Sequence, residues 1–181
     1  STGQKESKFG VPMAQAMALF KRAAGLSGIA LQGVSVHIGS QLTRIEPFAQ
    51  AFARVREFVG ELRAAGIHIQ TIDLGGGLGI PYGKDAPPLP DLYAEVVKRE
   101  IGVLGCQLIV EPGRMLVGNA GILVSRVLYV KKSAAKTFAI VDAAMNDLIR
   151  PTLYEAYHEI WPVAEQRNDM APVQQDVVGP V

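Results

Sequence analysis

Cysteine is almost missing from this sequence: Cys106 is the only one in 181 residues, so no intramolecular disulfide can form and a reducing cytoplasm is the expected compartment. Cys106 enters an apolar run, where it reads as a small buried hydrophobe rather than a nucleophile. An excess of one charge is missing too. The net charge is +1, with Lys and Arg interspersed among Asp and Glu, which removes the electrostatic case for nucleic acid or an anionic membrane. The most apolar later runs are interrupted by Gly105, Glu111 or Arg126, so no bilayer-spanning segment is expected. The first seven residues are polar and lack the apolar centre of a signal peptide. There is no low-complexity tract, and no metal site is expected. What is present is 49% apolar residues, enough for a sizeable core, and small-molecule chemistry is the class left standing.

Helical and strand-like patterns alternate along the chain. Residues 12–24 read as a helix with Pro12 at its first position, Met13, Met17 and Phe20 at helical spacing, and Gly25 as its stop. A buried strand is expected over residues 29–38. An amphipathic helix over residues 46–65 follows, with Phe48, Phe52, Val55, Val59 and Leu62 on one stripe and Gly66 at its end. A second strand, residues 69–74, runs into four glycines within five residues, Gly75, Gly76, Gly77 and Gly79. Beyond Pro87, Pro88 and Pro90, a third helix is expected over residues 91–101 and a third strand over residues 108–110. Strands that are apolar throughout and separated by helices argue for parallel pairing covered on both faces, in an open doubly wound sheet or a (β/α)8 barrel. The contiguous glycines do not spell G-x-G-x-x-G and no acidic residue marks a ribose site, so the barrel is favoured, with three strands making only part of one.

From Gly121 the texture changes. Residues 122–130 and 138–141 are β-rich runs flanking a polar turn at 131–136, which predicts antiparallel pairing in a second domain. Residues 146–161 form an aromatic- and charge-rich connection, residues 165–172 a polar loop, and residues 176–181 read as part of a strand. Both ends therefore look cut, as in an internal fragment.

Three of the strand-like runs stop in chemically capable residues: Val34-Ser-Val-His-Ile-Gly-Ser-Gln41, Ile72-Asp-Leu-Gly-Gly-Gly-Leu-Gly-Ile-Pro-Tyr82 and Gln107-Leu-Ile-Val-Glu-Pro-Gly-Arg114. A glycine loop after a strand exposes backbone N–H groups that can hold a phosphate, although glycines serve tight turns equally well. His37 is either a packed rim residue or a functional ring. Glu111 is costly to bury unpaired; either Arg114 satisfies it as an ion pair or it faces a cationic ligand. Together the parts describe a phosphate cradle, a flat ring that can stack and an acid that can hold a protonated heterocyclic nitrogen. Pyridoxal phosphate needs all three, since a carboxylate that keeps its pyridine nitrogen protonated makes the ring an electron sink for a carbanion at the substrate α-carbon.

In order and spacing, His37-Ile-Gly-Ser-Gln41, Asp73-Leu-Gly-Gly-Gly-Leu-Gly79 and Glu111-Pro-Gly-Arg114 resemble the motifs of pyridoxal-phosphate decarboxylases of the alanine-racemase-like fold. The run Val141-Asp-Ala-Ala-Met-Asn-Asp-Leu-Ile-Arg-Pro-Thr-Leu-Tyr-Glu-Ala-Tyr-His-Glu-Ile160 is more discriminating and resembles the branch acting on diaminopimelate. The resemblance extends from Ser7-Lys-Phe-Gly10 onward. It implies an α/β fold, the C-terminal part of a (β/α)8 TIM-like barrel over residues 1–118, followed by the start of a β-rich C-terminal domain over residues 119–181. It also implies release of CO2 from the D-configured α-carbon of meso-diaminopimelate to leave L-lysine, in a cytoplasmic homodimer whose active sites are completed across the subunit interface.

By position, the resemblance implies that His37 stacks on the cofactor ring, that Ser40 and the backbone of Gly75, Gly76 and Gly77 bind its phosphate, and that Glu111 faces the pyridine nitrogen. Pro112, Gly113 and Arg114 would complete the cofactor site, Arg114 lying where it meets the substrate, and Arg150 and Tyr154 would grip the substrate. A guanidinium fork suits the substrate's far carboxylate. Without the resemblance, Arg150 and Tyr154 read as a solvated charge and a packing aromatic. The family's cofactor-bearing lysine lies on an earlier barrel strand, and none of Lys5, Lys8, Lys21, Lys84, Lys98, Lys131, Lys132 and Lys136 ends an apolar strand as it should. The proton-donating cysteine, in a Cys-Glu-Ser motif, is expected beyond Val181, and Cys106 does not replace it. A decarboxylase of arginine, ornithine or carboxynorspermidine is the alternative within the fold, opposed by Arg150, because a diamine-type substrate needs an acid there. A non-catalytic homologue with a binding or regulatory role is the alternative outside catalysis.

Overall fold

The computed structural model describes residues 9–83, 85–164 and 173–180; the polar loop expected over residues 165–172, together with Lys5, Lys8 and Lys84, lies outside the described residues. The chain divides into two units, one running to Pro81 and resuming over Asp85–Ala120, the other comprising Tyr82, Gly83 and the residues from Gly121 onward.

The first unit is built on the stripe of α2 (Glu46–Ala64), where apolar residues recur every three or four positions and Phe48, Phe52, Val59 and Leu62 are fully buried. Each such side chain contributes roughly 1.5–3 kcal/mol by leaving water. Phe58 is buried as well, meeting Phe20 of α1 (Met13–Ala24) edge to face at 5.5 Å. Phe48 and Phe52 meet Tyr93 of α3 (Pro90–Glu100) at 5.1 and 5.8 Å. On α1 the buried side is Ala16 with Met17 and Phe20 partly covered; Met13, expected on that stripe, lies in the first turn and faces solvent.

Against these helices lies a sheet of β1 (Gly33–Ser35), β2 (Thr71–Asp73) and β3 (Gln107–Ile109), parallel throughout, in the order β1-β2-β3. Val34, Ile72 and Leu108 stand in one row across it. β1 and β2 are shorter than the apolar runs expected over residues 29–38 and 69–74, while β3 starts one residue before the expected 108–110. Pairing extends only as far as both partners stay extended, and β2 is bounded by Gly75, whose φ is +64°. Ile29, expected inside the first strand, is half exposed. The third run, expected to be buried, is exposed at Leu108, Ile109 and Val110, because β3 is the sheet's edge among the described residues. Cys106, at its approach, is half-buried with its Sγ 3.4 Å from Arg63 Nη2. After β3 the chain turns into the short α4 (Gly113–Val117).

In the second unit β4 (Val127–Lys132) and β5 (Thr137–Val141) pair antiparallel, as the alternation predicts, and β6 (Asp176–Val178) joins β5 in parallel. The first of these strands starts later and ends later than expected. The Asp142 carboxylate takes the Arg126 N–H and the Ser125 hydroxyl, both at 2.8 Å, which holds residues 122–126 out of the ladder. At the other end the turn is tightened by Ser133, whose N–H donates to Lys136 O and whose hydroxyl accepts from the Lys136 N–H, so Lys131 and Lys132 pair with Phe138 and Thr137. Within the connection expected at residues 146–161 sits one short helix, α5 (Arg150–Tyr154). Among the described residues no helix is long and apolar enough to cross a membrane, and no group of three or more His, Cys, Asp or Glu stands where it could hold a metal ion.

Candidate functional site

In the first unit the carboxyl ends of all three parallel strands carry the residues singled out by their chemistry. His37 lies two residues beyond β1, Gly75 two beyond β2, and Glu111 two beyond β3. Backbone N–H groups join these loops to one another. The Glu111 N–H donates to Gly75 O at 2.8 Å, the Leu42 N–H to Gly77 O at 2.8 Å, and the Gly76 N–H to His37 Nδ1 at 3.3 Å. The last bond assigns the imidazole: Nδ1 accepts, so in the neutral ring the proton is on Nε2.

The glycines divide the work. A Cβ on Gly76 would lie 2.2 Å from Glu111 O, and one on Gly77 2.3 Å from Gly39 O, so both positions exclude side chains because neighbouring backbone occupies the space. The Gly75 N–H is taken by Asp73 Oδ1 at 2.9 Å and the Gly76 N–H by His37. The Gly77 N–H meets no acceptor among the described residues, and Ser40 lies exposed on the loop facing it. Asp73 was not singled out from the sequence, yet it shapes this loop by closing an Asx-type turn onto Gly75; the Asp-x-Gly spacing is the signal for it. Its charge is felt by Tyr93, whose hydroxyl is pushed up to about 12 first by burial and then by the Asp73 carboxylate, so Tyr93 stays protonated beneath the loop at all working pH values.

Glu111-Pro112-Gly113 forms an inverse γ-turn: the Gly113 N–H bonds Glu111 O at 2.8 Å around Pro112 at φ −79°, ψ 55°, close to the conformation that turn requires. Proline suits the position because its ring restricts φ. The turn delivers Arg114 into the first turn of α4. The Glu111 carboxylate is exposed and forms no ion pair or hydrogen bond with any described residue, so the structural pairing with Arg114 is not made. Instead Arg114 Nη1 donates to Gln41 Oε1 at 3.1 Å. Gln41 belongs to the His37–Gln41 motif but had no role assigned from sequence. In the second unit Arg150 and Tyr154 come together at opposite ends of α5, the guanidinium carbon 5.7 Å from the ring centroid. Among the described residues, no lysine stands at the carboxyl end of β1, β2 or β3; Lys131 and Lys132 end the antiparallel β4.

A family model described as pyridoxal-dependent decarboxylase, pyridoxal binding domain, matches residues 1–118. Along its whole length the chain is similar to curated diaminopimelate decarboxylases, 47% identical to that of Pseudomonas aeruginosa and 45% identical to that of Zymomonas mobilis. Each match takes in 100% of this chain and 43% of the relative, so the chain spans less than half the length of these proteins. Among solved structures, diaminopimelate decarboxylase from Helicobacter pylori complexed with L-lysine matches with a TM-score of 0.92 at 40% identity, over 100% of this chain and 44% of that one.

Proposed function

The chain belongs to the pyridoxal-dependent decarboxylases, and from that membership we propose that its residues serve the conversion of meso-diaminopimelate to L-lysine and CO2. The observation that carries the reading is the seam of three strand ends, which sets a donor without an acceptor, an aromatic ring of assigned tautomer and an unpaired carboxylate along one edge of the sheet. Those groups fit pyridoxal phosphate. The Gly77 N–H and the Ser40 hydroxyl would donate to its phosphate, with Gly75 and Gly76 shaping the loop by letting backbone approach backbone. His37 would cover one face of the pyridine ring and Glu111 would hold the proton at its nitrogen. Bound there, the cofactor supplies an electron sink for the pair left at the α-carbon when CO2 departs.

Arg114, at the head of α4, would face the reacting end of a substrate. Arg150, which lies over the Tyr154 ring, would offer its fork to a substrate's far carboxylate. A cation at Arg150 favours a substrate that ends in a carboxylate over one that ends in an amine, which sets diaminopimelate ahead of arginine, ornithine or carboxynorspermidine. We further propose that residues 1–118 belong to the cofactor-binding barrel and residues 119–181 to a β-rich domain. The working enzyme would be a cytoplasmic homodimer, with the anchoring lysine and the proton-donating cysteine supplied by the rest of a longer polypeptide.

The test is a decarboxylation assay of the full-length protein reconstituted with pyridoxal phosphate. Stoichiometric CO2 and L-lysine from meso-diaminopimelate are expected. Preferential turnover of arginine or ornithine would reassign the substrate, and cofactor binding without turnover of any of them would favour a binding role.

A further inference from the structure

We propose that Gln41 is the positioning residue for Arg114, holding its guanidinium in register with the end of the glycine loop. The inference rests on the cofactor and substrate site proposed for the three strand ends, and deepens it by adding a residue to which neither the chemistry nor the family resemblance gave a role.

The starting observation is conformational. Gln41 has φ +57°, one of two non-glycine residues with positive φ among the described residues. A γ-extended side chain pays for that conformation, and a strained residue persists where its surroundings over-determine it. Here the surroundings are three hydrogen bonds from one amide. Nε2 donates to Ile80 O at 2.6 Å, Oε1 accepts from the Ile80 N–H at 3.2 Å, and the same Oε1 accepts from Arg114 Nη1 at 3.1 Å. The paired bonds to Ile80 settle which side of the amide is oxygen, since its N–H requires an acceptor and its carbonyl a donor. The oxygen is thereby aimed, and its second lone pair receives the guanidinium. The geometry also ties all three loops at one point, because Gln41 follows β1, Ile80 ends the glycine loop after β2, and Arg114 follows β3. Ile80 is itself buried and packs against Gly118 of α4's C-terminal end, where a built Cβ would lie 2.4 Å from Ile80 Cδ1, so the residue that Gln41 grips also touches the segment that follows Arg114. A side chain held at both its backbone and its tip is suited to orient a cation that must present a fixed face to a ligand.

The experiment uses the full-length holoenzyme with Gln41→Ala, Gln41→Gly and Gln41→Glu, alongside Arg114→Ala and the double variant Gln41→Ala with Arg114→Ala. Crystal structures of the Gln41→Ala or Gln41→Gly protein are expected to show the Arg114 guanidinium displaced. Kinetically, KM for meso-diaminopimelate should rise about tenfold or more, as for loss of a hydrogen bond to a charged group, with a smaller change in kcat. The double variant should be no worse than Arg114→Ala alone, since Gln41 acts through Arg114. Gln41→Glu keeps an acceptor for Arg114 while setting a carboxylate against Ile80 O; it should lower the melting temperature yet keep KM near the wild-type value. Gln41→Gly gives up the same bonds to Ile80 as Gln41→Ala but relieves the positive φ, so it should melt higher than Gln41→Ala while raising KM to the same extent, which separates positioning from loss of fold. A guanidinium in its original place, or additive effects in the double variant, would overturn the proposal. An inactive wild-type enzyme would instead overturn the assigned reaction, and the crystallographic comparison would still judge the role of Gln41.

Discussion

At the scale of single residues, two glycines with the same chemistry carry opposite expectations. Gly76 is pressed against the Glu111 carbonyl, where an added Cβ would sit at 2.2 Å from a backbone oxygen that is itself held by the Gly113 N–H in the turn after β3. Gly76→Ala should therefore cost about 1–3 kcal/mol through overpacking and abolish tight pyridoxal phosphate binding by prising β2's loop from β3's. Gly60 lies exposed inside α2 with nothing within 4 Å of a built Cβ. Gly60→Ala should stabilise by about 0.5–1 kcal/mol, because alanine loses less backbone entropy in a helix. Chemical denaturation of both variants in the full-length protein, with cofactor titration of each, checks the pair; equal effects would mean that the glycine loop is not held by backbone contact. The chemistry of His37, Glu111 and the glycines was legible because each follows its own apolar run directly. Gln41 was not, since its bonds reach 39 residues on to Ile80 and 73 to Arg114, and no local pattern announces partners that distant.

At the scale of elements, the same distinction between local and distant information explains which boundaries could be read. A helix carries its own stripe and its own stop, so α1, α2 and α3 begin and end within two residues of their expected limits, closed by signals such as Gly25 and Gly66. A strand ends where its partner ends, and the partner lies 38 residues away along the chain between Val34 and Ile72 and 36 between Ile72 and Leu108. Apolar runs alone therefore overstate β1 and β2. The contact between α2 and α3 was equally illegible. There Glu100, nearly buried, is gripped by Arg99 Nε at 2.7 Å and Arg56 Nη1 at 2.8 Å. These partners hold its carboxyl below the ordinary 4.5, the Arg99 hydrogen bond being the larger cause, with the nearby Arg56 and Arg99 charges adding to it. A carboxyl depressed in the folded state stabilises above its unfolded value and loses that stabilisation as pH falls through its folded value. Melting temperature should thus decline as pH drops from 4.5 downward, and Glu100→Gln should be less stable than wild type near neutrality and flatter over that acidic window. A wild-type slope retained in Glu100→Gln would assign the acid sensitivity elsewhere.

At the scale of the whole molecule, each unit leaves apolar edge strands uncovered among the described residues. In the first, Leu108, Ile109 and Val110 are between 39% and 49% exposed on an edge strand whose outer backbone groups find no partner strand among the described residues. In the second, Val127, Leu128, Tyr129 and Val130 are exposed along the whole of β4, itself an edge. Monomers rarely leave apolar patches of more than a few hundred Å² open, and an unpaired hydrophobic edge is a template for another strand. The chain also spans only 43% of the Pseudomonas aeruginosa and Zymomonas mobilis enzymes, and among the described residues no lysine stands at the carboxyl ends of β1, β2 and β3. Produced alone, these 181 residues should therefore self-associate, elute as a broad high-mass species, bind a hydrophobic dye and release no CO2 from meso-diaminopimelate. Leu108→Lys combined with Val110→Lys should narrow the elution toward monomer, since charge on an edge strand opposes pairing. Leu108 and Val110, two residues apart, lie on the same face of β3 and its continuation, so Ile109→Lys on the opposite face completes the test: rescue by either change identifies the edge, and rescue by the Leu108/Val110 pair alone identifies that one face. A sharp, dye-negative monomer from the unmodified chain would show instead that its two units bury enough surface to stand unaided.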